Sequence, residues 1–168
     1  MALRDLYSGL AFFMALPTDP YSQTAVNGTS IDLKGYDGCV FLVNVGSFTA
    51  VLTNSHINVR CQLGTSNAAG AVVWANVAAS QVLHSIVGEE GAYSTITSGI
   101  VLSIVSTTDS DTVMRFGIRN IGEARWARVV HSMTAVGAEK SVIYGVTAVL
   151  GYPHAWPVDA PVGINAPS

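Results

Sequence analysis

A chain of 168 residues is long enough to form one domain with a sizeable core, but this one is 49% apolar and only 11% charged, with a net charge of −3. Eight Lys and Arg in all, with no basic run, exclude a surface that tracks nucleic-acid phosphates. No uncharged apolar run reaches the roughly 18 residues of a membrane helix, so no membrane partner is expected despite a mean hydropathy of +0.41. Folded domains usually carry about 25% charged residues, and a surface this poor in charge implies that other protein covers part of it.

Residues 1–28 are set apart as an N-terminal arm. Leu3, Leu6, Leu10 and Phe13 follow a 3-4-3 spacing with Tyr7 and Met14 beside them, which predicts a helix that Pro17 and Pro20 stop. Asp5 directly after Arg4, and the lack of a small-residue cleavage site before Pro17, argue against an export leader. The arm packs either on its own domain or on a neighbour. In the second case Leu6, Leu10, Phe12 and Phe13 are its contact residues.

From residue 29 the pattern is that of short strands. Residues 29–33 open the series, and a turn with two glycines follows at 34–38. Residues 39–45 (CVFLVNV) are apolar on both alternating faces, which predicts a strand covered on both sides. Residues 57–63 alternate cleanly, with Ile57, Val59, Cys61 and Leu63 inward. Further strands are expected at 71–77, 82–86, 99–105, 112–119, 124–133 and 141–150, with loops or turns at 64–70, 87–98, 107–111 and 120–122. The tail 153–168 holds Pro153, Pro157, Pro161 and Pro167 and is expected to be extended. About nine short strands with turn residues between them predict an all-β, jelly-roll-like antiparallel sandwich over 29–152. Phe41, Val43, Trp126 and Tyr144 are expected in its core or at a trimer interface.

The chemistry-bearing residues form no constellation. His56, His84, His131 and His154 lack metal-ligand spacing. Asp109 and Asp111 lack the remaining ligands of a calcium loop, and Glu89 and Glu90, adjacent on an extended chain, point to opposite sides. No nucleophile elbow or phosphate-binding glycine loop is present. Neither catalysis, metal nor cofactor is therefore expected. Cys39 and Cys61 read as reduced core thiols, with a disulfide as the alternative. Trp74, Trp126 and Trp156 are candidate sugar platforms, against packing roles in the core or at an interface.

Several segments together resemble a known family. They are 29–33 (TSIDL), Gly35-Tyr36-Asp37, 40–46 (VFLVNVG), 116–122 (FGIRNIG), 125–130 (RWARVV) and 147–153 (TAVLGYP). The pattern is similar to small β-sandwich proteins of tailed double-stranded DNA phages, several of which are capsid decoration, or cement, proteins. Trp126 stands where that family commonly has Tyr, and 74–104 departs from its pattern. The resemblance implies a virion structural protein without catalytic residues, partnered by major capsid protein and by itself as a homotrimer. The both-faced strands 39–45 and 142–150 would supply the trimer core. A tail, adaptor or head-fibre component and a carbohydrate-binding host-recognition module are the alternatives.

Overall fold

In the computed structural model the described residues are 10–21, 25–47, 56–84, 98–104, 111–119, 121–134 and 142–153. They form two antiparallel sheets. The first sheet is built from β1 (Leu10–Tyr21), β4 (Tyr36–Val45), β7 (Val82–His84), β9 (Val113–Ile118) and β11 (Val142–Pro153), in the order β1-β11-β4-β9-β7. The second is built from β2 (Val26–Asn27), β3 (Ile31–Asp32), β5 (His56–Ser66), β6 (Val72–Asn76), β8 (Ile100–Ile104) and β10 (Trp126–Thr134). Here β10 and β5 are central; β2 and β3 pair one side of β10, and β6 and β8 pair one side of β5. The all-β sandwich expected from the strand pattern is thus the observed architecture.

Alternation places one face of each long strand in the interior. Phe41, Val43 and Val45 of β4 and Tyr144, Val146, Ala148 and Leu150 of β11 face Ile57, Val59 and Cys61 of β5 and Ala127 and Val129 of β10. Phe41 stacks on Phe116, its partner across the β4–β9 ladder, with ring centroids 4.9 Å apart. Each such large apolar side chain withdrawn from water contributes about 1.5–3 kcal/mol before chain entropy is set against it.

The described part of the N-terminal segment is a strand, which corrects the helix inferred from its spacing. Leu10–Tyr21 pairs with β11 from Leu10↔Gly151 to Tyr21↔Val142. Register shifts between Met14 and Leu16, and between Leu16 and Asp19, put Ala15 and Leu16 both in the core. The helix-like spacing has another source: Leu10 and Phe13 precede those shifts, and 10–16 (LAFFMAL) is apolar at every position, so a helical period can be picked out of a strand that is greasy on both faces. Pro17 and Pro20 are tolerated because β1 is the sheet's edge, where an amide N–H needs no partner strand.

The two sheets are stitched together beside this edge. Gly28 N–H donates to the Val129 carbonyl at 2.7 Å and Thr29 N–H donates to the Ala15 carbonyl at 2.8 Å. A Cβ on Gly28 would run into the Ala15 carbonyl oxygen and stand 2.9 Å from that of Val129. Glycine is therefore what lets the two backbones approach.

Candidate functional site

The outward faces of the two sheets differ in chemistry. On the second sheet part of the outward face is a hydrogen-bonded polar row beside two tryptophans. Arg128 Nε donates to Gln62 Oε1 at 2.8 Å, and Gln62 Nε2 donates to Asn76 Oδ1 at 3.0 Å. The Arg128 guanidinium lies 4.2 Å from the Trp74 ring centroid, and the same ring rests over Gly64. A guanidinium on the ring face occupies the position that a sugar platform keeps open. Trp126, the neighbouring aromatic, is buried, with the Arg125 guanidinium 4.8 Å from its ring centroid. Trp156 lies outside the described residues.

At the rim of this sheet, Asp32 on β3 receives the Arg125 fork: Nη2 to Oδ2 at 2.7 Å, and Nε to Oδ1 and Oδ2 at 3.1 and 3.2 Å. The Lys34 N–H adds a further bond to Oδ1 at 2.9 Å. Burial pushes the Asp32 carboxyl upward, but the hydrogen bonds from Arg125 and the Lys34 N–H outweigh it and hold the group below its ordinary 3.8. A carboxylate with a depressed folded-state value contributes stability that is complete above its ordinary range and is lost as acid titrates it below. Asp32→Asn is expected to cost about 0.5–1 kcal/mol at neutral pH, as for a partly screened pair. The difference from the parent should vanish as the pH falls well below 3.8. Urea denaturation at neutral and acid pH checks both statements.

No group of three or more His, Cys, Asp or Glu is placed to hold a metal among the described residues. Cys39 and Cys61 are free and buried; burial pushes the Cys61 thiol up to about 12 and raises Cys39 well above its ordinary value. Neither supplies the thiolate that nucleophilic or metal chemistry requires. His131 and Tyr144 are both fully buried and bond across the interior, Nδ1 to Oη, at 2.6 Å. They join β10 of one sheet to β11 of the other, which is a structural role. Asp111 and His56 are described, but Glu89, Glu90, Asp109 and His154 lie outside the described residues.

The first sheet presents a different outward face. One row crosses all five strands: Phe12, Val149, Val40, Gly117 and Leu83 are paired in sequence. The next row is Met14, Thr147, Leu42 and Arg115. Phe12 is 56% exposed, Met14 64%, Leu83 45% and Val40 39%. Val113, paired with Asn44, and Ile143, two residues from Asn44's other partner Gly145, are also exposed and extend the apolar surface. Arg115 is the only charged side chain in these rows. Scattered exposed hydrophobics are ordinary, but a contiguous apolar sheet face marks an interaction surface.

This face lies on the strands singled out from sequence, yet on their opposite side. Phe41, Val43 and Tyr144 fill the interior of the molecule itself, and Trp126 is buried on the second sheet. Of the four arm residues, Phe12 stands on the apolar face, Phe13 packs against the core, Leu10 is half-buried, and Leu6 lies outside the described residues. Val40, Leu42, Met14, Leu83, Val113, Ile143 and Val149 are members that no sequence reading named individually as contacts. The signal for the first two was the apolarity of 39–45 on both alternating faces. Comparison of the chain with family models, curated proteins and solved structures finds no match.

Proposed function

We propose that this chain is a virion structural protein. It decorates an icosahedral phage capsid and stabilises it by bridging major capsid protein subunits, as a homotrimer. The observation that supports this most is the apolar outward face of the first sheet. A face of this kind suits a subunit that works inside an assembly.

The segments that resemble phage decoration proteins also meet in space. Residues 40–46, 116–122 and 147–153 map to the neighbouring strands β4, β9 and β11, and 29–33 lies beside 125–130 through the pair Trp126↔Asp32. The resembling segments thus fall into two paired groups, one on each sheet.

The mechanism in this reading is linkage. Packaged genome strains the contacts between capsid subunits. A protein that binds only the assembled lattice adds free energy that is lost if the shell opens, and so shifts the balance toward the closed shell. Linked protomers add avidity to individually weak contacts. Cryo-electron microscopy of intact particles tests the assignment: density for this chain is expected at every symmetry-equivalent site of the shell. Density confined to a single vertex would move it to a tail, portal or fibre position and overturn the decoration role.

A further inference from the structure

The strongest unexplained feature is the apolar face, and the question is what covers it. We infer that the outward face of the five-stranded sheet is the surface through which this chain associates with a second copy of itself, with Phe12, Val40 and Leu83 as anchors. Three observations favour another copy over a peptide, a helix or a charged partner.

The first is size. The rows from Phe12 to Leu83 and from Met14 to Arg115, with Ile143, Asn44 and Val113, present an area on the order of 800 Å², which is what each partner contributes to a standard specific interface. The second is composition. One charge among these rows is the depletion found at the centre of lasting interfaces, whereas surfaces that wait in water for a transient partner stay polar. The third is shape. Gly117 has no side chain, and Leu83 leans over it with its Cβ about 3.4 Å from where a Gly117 Cβ would stand. β9 thus adds no side chain between Val40 and Leu83, and the row crosses a broad sheet face of the kind that sheet-on-sheet packing uses.

The sheet's edges leave the face as the open route. β1 carries Pro17, Pro20 and two register shifts, and β7 at the other edge has three residues. Both are devices that discourage strand addition.

Sedimentation equilibrium of the full chain, with Phe12→Glu, Val40→Glu and Val73→Glu, tests the inference. Val73 is 51% exposed but sits on β6 of the other sheet, and serves as the control. The parent and Val73→Glu are expected to sediment as the same oligomer. Phe12→Glu and Val40→Glu should weaken association at least tenfold while keeping the parent's β circular dichroism. A monomeric parent, or an oligomer that both face variants leave intact, overturns the inference. It stands apart from the capsid reading: a chain that self-associates through this face yet is absent from capsid shells would refute that reading and leave this one in place.

Discussion

Replacing Gly28 by valine is expected to cost about 4 kcal/mol, a large part of the 5–15 kcal/mol that holds a typical domain folded. The added side chain meets the carbonyl oxygens of Ala15 and Val129, which are backbone atoms and have no rotamer to swing away. Overpacking of this kind costs about 1–3 kcal/mol. Separating the chains also weakens the bonds from Gly28 N–H to Val129 and from Thr29 N–H to Ala15, each worth about 1 kcal/mol. Gly70 provides the contrast. Nothing lies within 4 Å of its absent Cβ, and its φ of +81° makes only the backbone conformation unfavourable to other residues. Gly70→Ala should therefore cost about 1–2 kcal/mol. Urea midpoints of the two variants decide the matter. A Gly28→Val midpoint equal to the parent's would mean that the sheets are not joined at this point.

Truncating Phe41 to alanine is expected to remove about 3–5 kcal/mol. The ring is fully buried and stacked on Phe116, so its removal loses both apolar burial and an aromatic pair that the adjoining strands cannot close around. Val40, the preceding residue, points the other way and is 39% exposed. Val40→Ala should change the stability of the isolated subunit by less than about 0.5 kcal/mol. Its effect should instead grow with protein concentration, because a substitution at a contact between copies acts through mass action. Denaturation at two protein concentrations separates the cases: Phe41→Ala shifts the midpoint equally at both, and Val40→Ala does so only where copies meet. Equal, concentration-independent losses for the two neighbours would remove the distinction between core and docking face.

How far the sequence could be read depended on whether a residue's role was set locally. In β5, Ile57, Val59, Cys61 and Leu63 alternate with polar residues because one side meets the core while the other carries Asn58, buried but bonded by Ser103, and the half-buried Arg60 and Gln62, and that period survives in the text. β4 was legible as doubly apolar. Nothing local, however, says that its Phe41 side meets the same molecule while its Val40 side is left outward, since both look equally greasy. β1 was misleading for a different reason. Leu, Ala and Met are good helix formers, and the pairing that overrides this preference comes from β11, more than 120 residues on. The docking face was hidden for the same cause: its longest row draws one residue from each of five strands, so no stretch of sequence contains it.

The placement of β11 between β1 and β4 also sets a timetable. During synthesis at roughly 5–20 residues per second, β1 waits on the order of ten seconds before β11, its ladder partner among the described residues, is made. Until then Phe12 and Val40 are not yet brought onto one surface, because Val149 is the tile between them. Nascent subunits thus cannot recognise one another through this face on a crowded polysome until β11 has left the ribosome.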